Sequence, residues 1–203
     1  ILSCFAGGKK KGKWRGDLLF THEGISGPTV LELSRDVTEF FPSNEVTLVL
    51  DVLPDQNMEQ LGEVVRQMVL SNPNREIKTI LKIFLPNRII DFLLEQNDIV
   101  PESRCSSLDR INRTKLVKIL KEWKLGKVTE VDIDKGEVTA GGISLKEVDS
   151  KTMRSRLVHG LFLCGEVLDI AGRVGGYNLQ AAYSTGYVAG ESAALENKKS
   201  RPE

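Results

Sequence analysis

Between Gly160 and Ala194 the chain reads GLFLCGEVLDIAGRVGGYNLQAAYSTGYVAGESAA, and few folds accept residues in that order. An apolar run, Leu161-Phe162-Leu163-Cys164, ends on Gly165-Glu166. A run of that length bounded by glycine predicts a buried strand of an α/β sheet. A loop carrying Gly172, Gly175 and Gly176 follows, and the small-residue segment from Asn178 to about Leu195 predicts a helix. Open α/β sheets place their ligands where a strand ends and a glycine loop feeds a helix in this way.

Each part of that order suits a ligand. A carboxylate just past a strand end, Glu166, is placed to accept hydrogen bonds from the hydroxyls of a ribose or ribityl chain. Gly165 and the pair Gly175-Gly176 let backbone approach a planar group with no Cβ in the way. The first helical turn offers unpaired N–H groups and the positive end of a dipole, which suits an electron-rich acceptor. Ala181, Ala182, Gly186, Ala189 and Gly190 give the helix a face able to pack closely on a sheet. The competing reading is a plain packing unit whose glycines serve only tight turns, and spacing alone leaves the two open.

The stretch Gly160–Gly190 resembles the C-terminal flavin-binding segment of the BaiN/YhiN-type NAD(P)/FAD-dependent oxidoreductases, flavoproteins distantly similar to the fumarate reductase flavoprotein group. Two further stretches are similar to the same family: Gly16 to Leu33, GDLLFTHEGISGPTVLEL, and Val138 to Met153, VTAGGISLKEVDSKTM. The family begins with a GxGxxG strand–turn–helix for the FAD pyrophosphate, and this sequence has no such motif. The resemblance therefore covers the C-terminal half of such a protein and makes the N-terminal FAD-binding half a missing partner. It implies FAD as cofactor and NAD(P)H as a possible reductant. It also implies that Gly175, Gly176, Tyr177, Asn178, Leu179 and Gln180 line the flavin edge, the N–H groups of Asn178 and Leu179 facing N1 and the C2 carbonyl. Thr139-Ala140-Gly141-Gly142 is similar to a Thr-x-Gly-Gly beside the flavin ring in the fumarate reductase group. Gly141 and Gly142 either lie against the isoalloxazine or form an ordinary bulge or turn.

Composition narrows the alternatives. Lys and Arg number 28 and Asp and Glu 28, a balance that argues against a general nucleic-acid or acidic-lipid binder. Three separated cysteines, Cys4, Cys105 and Cys164, make neither a disulfide framework nor a zinc spacing, so no metal site is expected. Cys164 is expected to pack inside its strand. The sequence shows no signal peptide and no apolar run able to cross a bilayer, and a soluble cytoplasmic protein is expected.

In chain order, Ile1–Ala6 predicts a strand, Gly8–Arg15 a basic loop, and Asp17–Thr21 the returning strand. THEGISGP, Thr21–Pro28, is a loop feeding a helix over Thr29–Val37 with Pro28 at its first position. His22 in that loop is a candidate proton donor or substrate ligand, the alternative being a histidine that only holds the loop. Glu45–Leu53 predicts a strand, and Met58–Leu70, Ile77–Leu85, Asn87–Gln96 and Asn112–Trp123 predict short helices with Lys115, Lys118 and Lys121 on a solvated face. Lys127–Ile133 and Glu137–Ala140 predict a hairpin around Asp134-Lys135-Gly136. The fold class expected is mixed α+β. Residues 1–55 and 126–148 form a β-rich, barrel-like insertion domain, the barrel being implied by the resemblance. Residues 56–125 form a small helical subdomain, and 149–203 the C-terminal strand–loop–helix of a Rossmann-like FAD-binding domain.

The function expected is hydride transfer between NAD(P)H and an unknown organic small molecule. The alternatives are a catalytically inactive fragment or interaction domain, and a nucleic-acid module using Lys9–Arg15 and the lysine-rich helix. Apolar helix faces left without sheet partners need cover, a second copy of the chain being one source.

Overall fold

The structure, a computed structural model, describes residues 1–41, 43–132, 134, 136 and 138–199. It is mixed α+β and divides into two compact units. The first comprises Ile1–Leu18 and Asp36–Glu130, the second Leu19–Arg35 and Val131–Glu203.

The first unit is built on a four-stranded antiparallel sheet in the order β2-β1-β5-β6. Strands β1 (Leu2–Ala6) and β2 (Lys9–Trp14) are joined by Gly7-Gly8, at φ of 56° and 73°. Positive φ at both central residues is what a two-residue hairpin twisted to match its strands requires. The basic stretch expected as a loop is therefore the returning strand itself. Its lysines stand on a sheet edge, where charge discourages pairing with another chain. Lys10 also lies 5.6 Å from the ring centroid of Phe5.

Asp17–Thr21 does not return to this sheet; its only strand is β3 (Leu19–Phe20), paired with β4 (Ile25–Ser26) in the second unit. Central strand β5 (Val46–Leu50) pairs with β1 and with β6 (Trp123–Lys127). The β5–β6 ladder slips between Leu48 and Val49, and Gly126 sits there at φ 115°.

The strand expected over Lys127–Ile133 thus lies earlier, starting at Trp123, because the apolar residues of Trp123–Lys127 meet β5 directly after the preceding helix. Lys127 is its last residue, and none of the described residues over 128–140 forms a strand. The expected hairpin's Ile133, Lys135 and Glu137 lie outside the described residues.

Four helices complete this unit: α2 (Met58–Ser71), α3 (Ile77–Leu81), α4 (Asn87–Glu95) and α5 (Arg110–Lys121). Helix α2 starts with a capping box: the Asn57 side chain accepts from the Gln60 N–H and Gln60 accepts from the Asn57 N–H. Asp109 caps α5 by accepting from the Asn112 N–H. Leu61, Leu81, Leu93, Leu94, Leu116 and Leu120 are almost fully buried, each worth about 1.5–3 kcal/mol of apolar transfer. Helix α3 stops at Leu81 rather than Leu85, and Pro86 precedes α4.

Lys121 departs from the solvated face expected of it. Its side chain is 10% exposed, and Nζ donates to Asp51 Oδ2 at 2.8 Å, to Leu53 O at 2.7 Å and to Gln56 O. One cation thus ties the end of α5 to the loop after β5. Cys4 and Cys105 are buried and free, and burial pushes both thiols up, with Asp36 adding to the effect at Cys4. Among the described residues no helix is long and apolar enough to cross a membrane.

The second unit has little regular structure besides α1 (Pro28–Phe40), whose residues from Asp36 onward belong to the first unit, and α6 (Tyr177–Lys199). Its core joins Val148, Met153, Leu168 and Ala189, with Ile143, Phe162, Leu163, Ile170 and Val188 packed against it. The small-residue face of α6 therefore packs on irregular backbone rather than on a sheet. The strand expected at Leu161–Cys164 is reduced to a bridge between Phe162 and Arg154. A strand needs a ladder partner, and among the described residues the one bonded to it is the short segment Met153–Ser155. Leu161 is exposed, and so is Cys164, against the packed position expected for it.

Replacing Lys121 by Met would leave the Asp51 carboxylate without its counter-ion, an expected loss of about 3 kcal/mol. Urea unfolding followed by circular dichroism measures it. Lys118→Met, at an exposed position of the same helix, should stay within about 0.5 kcal/mol of the native protein.

Candidate functional site

The three sequence stretches singled out above fall in the second unit, apart from Gly16–Leu18. Val138–Met153 and Gly160–Gly190 meet through backbone. Ile143 N–H donates to Val167 O at 2.8 Å and Asp169 N–H to Ile143 O at 3.0 Å, a parallel bridge between Ile143 and Leu168. Gly142 stands at its entrance, at φ 138°, where an added Cβ would lie 2.6 Å from Val167 O. That glycine is required by the protein's own backbone. Gly141, at φ 98°, faces open space, with nothing within 4 Å of an added Cβ.

Gly165, Glu166 and Val167 form a 3-10 turn rather than the end of a strand. Gly165 adopts φ 72°, and its N–H donates to Thr185 Oγ1 at 3.0 Å, while the Thr185 hydroxyl donates to Ala181 O at 2.7 Å. The turn is thereby fastened to α6, one residue from Glu166, whose side chain is left exposed. Sequence reasoning passed over Thr185; its signal was a hydroxyl set within the small-residue face of Ala181, Ala182 and Gly186.

The glycine loop is held from two sides. Asn178 Oδ1 accepts from the Gly172 N–H at 2.7 Å and Asn178 Nδ2 donates to Gly172 O at 3.1 Å. Glu32 of α1 accepts from the Val174 N–H at 2.6 Å, a contact across 142 residues that nothing in the local sequence announces. Gly175 and Gly176 take φ of 129° and 86°, and Gly176 O accepts from the Gln180 N–H to open α6. Tyr177 and Leu179 in its first turn are exposed, as is Val174. The Asn178 side chain is thus committed to the loop, so any ligand contact at this residue falls to its N–H.

His22 lies on another segment of the same unit. It sits in the Thr21–Gly24 turn, where Thr21 N–H donates to Gly24 O at 2.8 Å and Thr21 Oγ1 accepts from the Glu23 and Gly24 N–H groups. Its ring is 90% exposed, with Nε2 3.7 Å from Glu23 Oε1. No hydrogen bond or ion pair joins it to Gly165–Gln180 among the described residues. No group of three or more His, Cys, Asp or Glu side chains placed to hold a metal ion occurs among them either.

The exposed Glu166 turn, the open backbone at Gly141, the Gly175-Gly176 loop and the exposed first turn of α6 all lie in the second unit. They belong to a unit of mixed α+β type. Residues 1–138 match the family described as HI0933-like protein barrel and H2TH domain, and the chain belongs to that family. It is 38% identical over 179 residues to the ribosomal RNA dihydrouridine synthase of Haemophilus influenzae (88% of this chain, 42% of that protein). It is 33% identical over 178 residues to the ribosomal RNA dihydrouridine synthase of Escherichia coli (88% and 42%). It is also 33% identical over 180 residues to the 3-dehydro-bile acid delta(4,6)-reductase of Clostridium scindens (88% and 44%). The chain spans less than half the length of these relatives.

Gly142→Ala should destabilise the second unit by more than Gly141→Ala. Both put a side chain at positive φ, costing on the order of 1–3 kcal/mol, but only the first also drives a Cβ into the Val167 carbonyl. Thermal unfolding of the two variants side by side measures the difference.

Proposed function

We propose that this chain is the C-terminal portion of an FAD-dependent oxidoreductase that reduces a carbon–carbon double bond conjugated to a carbonyl, with NAD(P)H as electron source. The observation that carries this reading is a chain of contacts: Ile143 pairs with the backbone beside Glu166, Thr185 fastens the Gly165 turn to α6, and Asn178 at the start of α6 holds the glycine loop. The relatives' names add the substrate chemistry. Uridine's C5=C6 bond is conjugated to C4=O, and a 3-oxo delta(4,6) steroid carries a dienone; both accept hydride at a carbon made electrophilic by the carbonyl. The bound flavin supplies that hydride, and the protein supplies binding, orientation and electrostatics.

In this reading Glu166 accepts hydrogen bonds from ribityl or ribose hydroxyls, helped by its exposure and by the Gly165–Thr185 clamp beneath it. The N–H groups of Asn178 and Leu179 meet the pyrimidine edge of the ring, where a positive helix end favours the anionic reduced form. Asn178 and Glu32 keep the glycine loop in place, and Tyr177 shapes its margin. His22, which makes no hydrogen bond or ion pair to Gly165–Gln180 among the described residues, has no step assigned to it. Exposed Tyr183, Tyr187 and Leu195 on α6 are the surface that the remaining FAD-binding half would cover. The chain alone then holds only one side of the cofactor.

An absorbance spectrum of the full-length protein should show flavin bands, and the isolated 203-residue chain should not. Glu166→Ala in the full-length protein should weaken FAD binding by about 1.5–3 kcal/mol, read by titration of flavin fluorescence. A full-length protein that shows no flavin bands after reconstitution would contradict the proposal.

A further inference from the structure

Helices α2 and α5 of the first unit enclose a hollow that the flavin reading does not use. It measures about 460 Å³ and runs between two rows of residues spaced four apart: Met58, Gly62 and Arg66 on α2, and Arg110, Thr114 and Lys118 on α5. A second hollow, of about 300 Å³, lies on the other side of the α5 row, against Ile111 and Lys115. Arg110, Thr114 and Lys118 line both hollows and so form a ridge with a furrow on each side. Ridges at four-residue spacing entering such furrows are the commonest way for two helices to pack.

Gly62 keeps the first furrow open. It sits inside α2, where glycine is destabilising by about 1 kcal/mol relative to alanine. The protein's own packing does not require it, since nothing stands within 4 Å of an added Cβ. The furrow has apolar surface from Met58 and Val117, and the second furrow has exposed Ile111. Midway along the ridge, the Thr114 hydroxyl already donates to Arg110 O at 3.0 Å, so the ridge can be covered without stranding it.

Charge is confined to one wall. Helix α5 contains no acidic residue, and the side chains of Arg110 and Lys118 are in no ion pair or hydrogen bond among the described residues. On α2 the one basic residue is Arg66, and Glu63 accepts two hydrogen bonds from it, at 2.8 and 2.7 Å. A phosphate backbone would gain from free cations on both walls, whereas a helix with one acidic flank needs them on one.

We propose that this face docks an amphipathic acidic helix of a partner protein. Its apolar residues, at i, i+4 and i+7, enter the two furrows, and its carboxylates meet Arg110 and Lys118.

The test is fluorescence anisotropy of the full-length protein with a labelled helical peptide of about five turns. The peptide carries leucine at i, i+4 and i+7 and glutamate at the flanking positions. It should bind, and binding should weaken with salt, as pairing at a solvent-exposed rim does. Gly62→Leu should weaken it about tenfold or more by filling the furrow, while thermal unfolding shows the variant at least as stable as the native protein. Arg110→Gln with Lys118→Gln should weaken it about fivefold. Lys9→Gln with Lys13→Gln, on β2, should leave it unchanged. The proposal is overturned by a peptide that does not bind, by a scrambled peptide of the same composition that binds as tightly, or by a Gly62→Leu variant that binds as the native protein does. It is overturned equally if an RNA stem-loop binds in place of the peptide and is lost in the same variants. None of these outcomes depends on flavin uptake, so the reductase reading stands or falls by its own spectrum.

Discussion

The second unit depends on one short piece of backbone pairing, Ile143 between Val167 and Asp169. Two hydrogen bonds make it, and they are possible only because Gly142 has no side chain where Val167 O stands. Remove that approach and the 138–148 segment loses its hold on the Glu166 turn. The core residues Val148 and Leu168 would then lose the frame that brings them together. The same few ångströms place open Gly141 beside the turn that carries Glu166. A fold constraint and a candidate binding surface are thus the same piece of chain.

Around that pairing, polar side chains do the work that a sheet would do elsewhere. Thr185 holds the Gly165 turn to α6, Asn178 closes the Gly172 loop on itself, and Glu32 reaches the loop from α1. Each uses a donor that the irregular backbone would otherwise leave unpaired, and such groups are costly when left without partners. Lys121 plays the corresponding part in the first unit, taking two carbonyls and a carboxylate after β5. Its neighbours Lys118 and Lys115, one and two turns earlier on the same helix, meet solvent instead. Periodicity does not distinguish these fates; what stands opposite each residue does.

What was legible in the sequence follows from that distinction. Helices α2 and α5 were readable from apolar periodicity, but their caps were not read: α5 begins at Arg110 behind Asp109, two residues before the expected Asn112. Pro28, a local signal, marked the start of α1. Strand β2 was not readable, since four lysines among six residues look like a solvated loop unless the Gly7-Gly8 turn is known to fold them back onto β1. Leu161–Cys164 failed in the opposite sense: its apolar run promised a buried strand, but pairing is a property of neighbours, and its neighbour is the short segment Met153–Ser155. The glycine positions of the candidate site were legible because positive φ has few other solutions. Glu32, contributed from 142 residues away, left no trace in the local pattern.

The central claim is that segments 139–143, 165–169 and 172–180 act as one binding surface for a flavin. Hydrogen–deuterium exchange of the full-length protein, with and without FAD, tests it most directly. The account expects all three segments to gain protection together at the same FAD concentration, with α2–α5 unchanged. Protection confined to one of the three, or appearing only outside them, would contradict it.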